Sequence, residues 1–458
     1  MPAKDQRLDY IIWAFVLLKL LIHLFTSTNY GFHRDEFLYL DQGNHLGWGY
    51  MEVPPMIAFL SVLAKGLGGS LFAVRLLPAL IGALSIYIIG RMAKEMGGGL
   101  WAIVFACLAF LLSPAFLRSN ALFQPVSFNQ FFWLLSAYYL FKLIHTNNTR
   151  YWYAIGITAG FGFLTKYSIV FYFIGLILAF LLSPHRKFFL TRHPYIALGI
   201  ALLIAAPNLY WQYVHHFPVL HHMEDLHRTQ LVNVELSAYF LDQLFFFLAG
   251  AIVWGAGLLG LLFDKHYKNY RFLGVASLIT ILLIALLDGK SYYTVGAYSV
   301  LLVFGGLVLE KRIKRLGFRI GLTVYFMVSI VPFLPLSLPI LPNQQMVKYC
   351  DFIIEKFGLD APMRWEDGVV RELPQDYADM NGWEEMVERL SKVYHQIEDK
   401  EATFILGGSY GHAGAINYYR KKSSKIPLNW LKNDTFFIEK LLIIFFEHVL
   451  LRINRYQS

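Results

Sequence analysis

The chain opens on a mostly apolar run from Tyr10 to Phe25, then breaks into Gly31-Phe-His-Arg-Asp-Glu-Phe-Leu-Tyr-Leu40, where four ionisable residues stand in a row. Apolar runs recur to about residue 340, each near the ~20 residues that cross a bilayer core as a helix. Window hydropathy predicts about eleven spans, near 10–26, 71–91, 99–117, 123–144, 151–165, 167–183, 194–213, 241–263, 272–288, 293–310 and 319–340. The piece at 55–64 is too short to cross and reads as re-entrant. After the proline-rich "VPFLPLSLPILP" at 331–342 the pattern changes. Acidic helical stretches such as "GWEEMVERLSKVYHQIEDK" lead into a short apolar strand, "TFILGG", and then "SYGHAGAINYY". The expected fold class is an α-helical polytopic membrane protein with a small C-terminal extracytoplasmic α/β domain. The boundaries expected are 1–342 for the transmembrane domain, with its first outer loop at 27–70, and 343–430 for the α/β domain. In the tail, 431–458, Glu439/Lys440 and Glu447/His448 interrupt the apolar run, which suits an amphipathic surface helix better than a span.

Charge turns this pattern into a topology. Arg91/Lys94, Lys142 to Arg150, Arg186/Lys187/Arg192, Lys265/Lys268/Arg271 and Lys311/Arg312/Lys314/Arg315 fall on alternate loops, which the positive-inside rule makes cytoplasmic. The complementary loops, holding His33 to Glu36, Lys166, 214–240 and Asp288 to Lys290, then face outward. Composition agrees: 57% of the 458 residues are hydrophobic and only 16% charged, too few for a soluble chain of this length. The net charge of +9 follows from the basic loops, and no nucleic-acid motif accompanies it. Two cysteines make no disulfide framework. Lys4 and Arg7 before an apolar run resemble a signal peptide, but no small-residue cleavage site follows, so a retained first helix is expected.

The unusual polar residues gather at the outer face, and ionisable groups at a membrane boundary cost energy unless they pair or work. Asp35 and Glu36 form either a cap paired with Arg34 or a carboxylate pair in which one member takes a proton from a hydroxyl. Glu52 precedes Pro54-Pro55, which stiffen a loop returning to the membrane surface. Arg75, Lys166 and Lys290 put cations at the outer ends of three segments. They either snorkel or stabilise a lipid-linked phosphate as it leaves. His215, His216, His221, His222 and His227 match no zinc spacing. A loop roofing the site is therefore preferred, a divalent metal is left as an alternative, and no cofactor is firmly expected.

An outward first loop with Arg-Asp-Glu, a Pro-Pro pair and then "RLLPAL" resembles glycosyltransferase family 39. These are the protein O-mannosyltransferase-like and lipid A aminoarabinose transferase-like membrane enzymes of superfamily C. "FQPVSFNQFFW" at 123–133, "GFLTKYS" at 162–168, "HHM" at 221–223 and "GKSYYTVGAYSV" at 289–300 keep the family's order. "LPQDYADMNGWEEM" at 373–386 and "YGHAGAI" at 410–416 resemble the outer domain of its bacterial branch. The resemblance implies transfer of a sugar, with inversion, from a polyprenyl-phosphate donor to a glycan, lipid or protein acceptor outside an inner membrane. It implies Asp35 as general base, Glu36 as its acidic neighbour, and Arg75, Lys166 and Lys290 near the donor phosphate. Arg34, Glu52, His222 and Tyr293 are the expected further substrate contacts. Val53 stands where relatives often carry His or Lys, and Asn129 where an acidic residue is common. The rival class is a transporter or flippase, which predicts charges near the midplane and a repeat between halves; neither is evident.

Overall fold

The computed structural model describes residues 2–398, 405 and 407–423. Long helices carry the apolar runs. α1 (Pro2–Thr26) packs on α4 (Leu71–Glu95), and between them the first outer loop forms two shorter helices, α2 (Arg34–Gln42) and α3 (Met56–Gly66). α3 is the apolar piece read as too short to cross, and it buries Ile57, Ala58, Ser61 and Ala64. α5 (Leu100–Leu111) gives way to the one-turn-and-a-half α6 (Pro114–Ser119), because Pro114 lacks the N–H that would continue the ladder. α7 (Pro125–Thr146), α8 (Tyr151–Thr165), α9 (Ile169–Leu181) and α10 (His193–Val214) follow.

The outer segment α11 (Pro218–Thr229) leads into α12 (Leu236–Phe245), α13 (Gly250–Phe263) and α14 (Arg271–Leu286). α15 (Val295–Arg312) is the most enclosed long helix, with α13, α5, α7 and α4 against it. Glycines permit that closeness: a Cβ on Gly257 would overlap the Leu301 carbonyl, and one on Gly305 the Val253 carbonyl. α16 (Leu316–Ile330) and the short α17 (Leu334–Ser337) lead out of the bundle.

Among the described residues six helices are long and apolar enough to cross a membrane, or up to eight if two bent pairs each count as one span. The pairs are α9 with 184–190, bent by 105°, and α12 with α13, bent by 103°. The eleven spans expected from windows are therefore not confirmed among the described residues. α5 is cut short at Ser113-Pro114, α8 has 15 residues, and α7 carries Asn129, Gln130 and Lys142 among its apolar positions. A hydropathy window averages across such breaks, whereas a helix ends at them.

Beyond 342 the described chain forms α18 (Asn343–Phe357), α19 (Gln375–Ala378), α20 (Trp383–Gln396) and α21 (Tyr410–Ser423). Among the described residues this region holds one isolated antiparallel bridge, Arg364 with Val370, and no strand. Half of the expected strand "TFILGG", residues 403, 404 and 406, and the whole of the tail 431–458 lie outside the described residues. α21 packs along α2, where Phe37 meets Trp383, Tyr418 and Tyr419 edge-on or tilted, and Cβ atoms added to Gly411 or Gly414 would crowd Arg34 and Phe37. This contact sets residues of the last segment directly over the charged start of α2.

Candidate active site

The four ionisable residues begin a helix. His33 is the N-cap of α2: its ring Nδ1 accepts from Asp35 N at 3.1 Å, while Glu36 reaches back to accept from His33 N at 2.9 Å. This capping box satisfies two of the helix's orphan donors and turns Asp35 and Glu36 to different surroundings.

Glu36 points inward and is fully buried. Arg75, 2% exposed on α4, binds it through Nε at 3.0 Å and a guanidinium NH2 at 2.8 Å. The remaining Arg75 contacts are to the Ser27 and Gly31 carbonyls, both at 2.7 Å, and to Met380 Sδ. Phe123 N donates to Glu36 Oε1, the oxygen that also accepts from Arg75 Nε, at 2.9 Å. Burial pushes the Glu36 carboxyl up, but Arg75 and these hydrogen bonds outweigh it and hold it below its ordinary value. Arg75, expected at a donor phosphate, instead has Glu36 and two backbone carbonyls on its guanidinium. It ties α1, α2 and α4 together.

Asp35 turns the other way, into a cavity of about 530 Å³ lined also by His33, Arg34, Gln124, Tyr292, Glu366 and Asp376. Its oxygens accept from Tyr410 OH at 2.7 Å and Gln124 Nε2 at 3.0 Å. Arg34 Nε stands 3.6 Å from Asp35, 3.0 Å from Asp379 and, through its other end, 3.3 Å from Glu366. The His33 ring lies 3.6 Å from Asp376, which Arg118 of α6 holds at 2.8 Å. Carboxylates from 366–379 thus roof the cavity by pairing with cations beneath them.

The other expected cations adjoin this cavity without lining it. Lys290 Nζ donates to Glu366 at 2.5 Å and to Gln230 Oε1 at 2.6 Å. Lys290 and Arg34, on separate elements, therefore share the Glu366 carboxylate. Burial raises the Glu366 pKa, but Lys290 and Arg34 win and lower it. Lys166, at the turn from α8 to α9, sits over the rings of Tyr293 at 4.9 Å and Tyr292 at 5.8 Å. Among the described residues it has no ion-pair partner. Burial and then the Lys290 charge push it down to about 8, with Asp35 pulling the other way. His222 is lowered by burial and by Lys166 and Lys290, against Asp225, which places it in the same electrostatic neighbourhood. Tyr293 meets Lys166 as described. Glu52 accepts from Gln42 at 3.4 Å and stands apart from the cavity. No group of three or more His, Cys, Asp or Glu converges as for a metal ion among the described residues.

Asn129, which had no role in the sequence, binds Ser168 Oγ at 3.1 Å and accepts from Trp133 at 3.1 Å, fastening the Lys166 turn to α7. Gln124, Glu366, Asp379 and Tyr410 were not singled out. Gln124, Asp379 and Tyr410 lie inside stretches of family-like sequence, but only Glu366 lies where the sequence carried no signal at all.

The family model for dolichyl-phosphate-mannose-protein mannosyltransferase matches residues 52–211. Lipid A galacturonosyltransferase RgtD of Rhizobium johnstonii is 26% identical over 364 residues, 76% of this chain and 74% of the relative. ArnT from Cupriavidus metallidurans bound to undecaprenyl phosphate superposes with a TM-score of 0.63 at 13% identity, covering 89% of this chain and 85% of that one. Its apo state gives 0.65, also at 13% identity, over 93% and 86%. The ordered motifs, the family match over residues 52–211, the relative and the shared fold all point the same way: the chain is similar to membrane glycosyltransferases of the ArnT and RgtD type.

Proposed function

We propose that the protein moves a sugar, with inversion, from a polyprenyl-phosphate donor to a lipid A-like glycolipid on the outer face of an inner membrane, with Asp35 as general base. The observation that carries this reading is the placement of Asp35. It is the partly open carboxylate of the capped α2 start, held in a cavity by two neutral donors, Tyr410 and Gln124. Such donors orient a carboxylate and leave it able to accept a proton. In the proposed step an acceptor hydroxyl attacks the anomeric carbon from the face opposite the phosphate. The new C–O bond forms as the sugar–phosphate bond breaks. The bonding pair leaves on the phosphate oxygen, and the hydroxyl proton passes to Asp35. One displacement inverts the centre.

Lys166 and Lys290 would balance the charge that develops on the departing phosphate, with Tyr293 fixing the Lys166 ammonium. Arg75 takes a different part from the donor-phosphate contact first expected: with Glu36, the acidic neighbour, it forms a buried brace that aims Asp35. The undecaprenyl phosphate bound to ArnT supports the donor class, and the activity named for RgtD supports the acceptor class. The test is release of free polyprenyl phosphate from a labelled donor when purified protein meets lipid A. Asp35→Asn should abolish release while retaining donor binding; turnover at the normal rate in that variant would remove Asp35 from the mechanism.

A further inference from the structure

At the end of α15 opposite Lys290, a second cavity of about 730 Å³ opens between α13, α15 and α16. Its walls change character along their length. At one end stand Arg312, Lys314 and Arg315, and from there Leu309, Gly317, Phe318, Gly321, Leu322, Tyr325 and Ile252 continue toward the bilayer interior. From Gly317 to Tyr325 this trough runs about 12 Å along α16. Among the described residues none of the three basic side chains forms an ion pair. The nearby Asp264 is taken by Lys311 at 3.3 Å and feels Arg312 only at longer range.

The glycines of this trough differ from those that bring helices together elsewhere. Cβ atoms on Gly257, Gly305 or Gly306 would meet neighbouring backbone, but on Gly317 or Gly321 they would meet nothing within 4 Å, and the same holds for Gly255, on the α13 face with Ile252. α16 leans instead on α5, through Phe326 against Phe105 and Arg319 over Trp101. Helix packing therefore does not account for the open groove. Three cations at the membrane boundary above an apolar trough match one ligand chemistry, a phosphate head with an acyl chain beneath it. By the distribution of basic loops this end lies in the leaflet away from the Asp35 cavity.

We infer that this cavity is a specific site for an anionic phospholipid, with the phosphate held by Arg312, Lys314 and Arg315 and one acyl chain lying over Gly317 and Gly321. The site is independent of the proposed transfer reaction. It pins the otherwise loosely packed α16, which leads into α17, whose Leu336 and Ser337 line the Asp35 cavity.

The experiment is titration of delipidated, full-length protein with phosphatidylglycerol, cardiolipin or phosphatidylethanolamine, with lipid adducts counted by native mass spectrometry. The anionic lipids should bind at a stoichiometry near one and at least about tenfold more tightly than phosphatidylethanolamine. Neutralising Arg312, Lys314 and Arg315 to Ala should remove that preference. Gly321→Leu, which keeps every charge and fills the trough, should weaken binding as well. Lys265→Ala with Lys268→Ala, on another basic loop, should leave it unchanged. Equal binding of phosphatidylethanolamine overturns the inference, as does undiminished binding in Gly321→Leu or an equal loss in the Lys265/Lys268 variant.

Discussion

Arg75→Met separates two roles for the same cation. If Arg75 holds the donor phosphate, the variant folds normally and loses donor affinity. If it braces Glu36, the variant loses stability first. In the folded protein Arg75 makes contacts of 2.8–3.3 Å to Glu36 and two of 2.7 Å to the Ser27 and Gly31 carbonyls. Met fills much of the volume but leaves the Glu36 carboxylate at 0% exposure with only Phe123 N and His33 N to hold it. Breaking a buried pair from one side costs about 3–5 kcal/mol, because the surviving charge stays desolvated. The unfolding midpoint of detergent-purified protein should therefore fall by several degrees. Glu36→Gln with Arg75→Met should recover part of that loss, since no unpaired buried charge then remains. Lys166→Met should do the opposite of Arg75→Met, keeping the midpoint and losing binding of a polyprenyl phosphate. The pH dependence has a definite sign. The folded Glu36 pKa lies below its unfolded value, so its contribution is fully present above the unfolded value, about 4.3, and is lost as the pH falls through the folded one. Glu36→Gln should flatten that acid limb. An Arg75→Met protein with the parental midpoint and no donor binding would refute the brace.

Two more outcomes concern the cations themselves. Lys166 titrates near 8, so the KM for donor should rise as the pH passes from 7 to 9 while Lys166→Arg holds it flat, measured as initial rates against donor concentration. Lys290 and Arg34 share Glu366, so Glu366→Gln should free both and lower the donor KM several-fold; a raised KM would mean that Glu366 itself contacts substrate.

The apolar periodicity and the basic loops are enough to identify a helical membrane protein, because a bilayer admits few other ways to satisfy a backbone. The order of the motifs carries the resemblance to membrane glycosyltransferases for the same chain. The capping box was also written locally: His33 and Glu36 are three residues apart, the spacing at which a helix start closes on itself. What the sequence left undecided was the direction of each carboxylate. Asp35 and Glu36 are neighbours on a helix, about 100° apart around its axis, so one faces the bundle and the other the cavity. Only the packing of α4 against α1 reveals that Arg75 lies under Glu36 and is occupied. Glu366 and Tyr410 reach the cavity from more than 300 residues away along the chain, with no spacing to announce them. The expected span count is not confirmed among the described residues for a related reason. Window averages see apolar content but not the breaks at Ser113-Pro114 or between α12 and α13, where backbone geometry ends a helix that composition would continue. Local rules thus determined the membrane class and the helix that carries Asp35, while long-range packing decided which of its charges are available for chemistry.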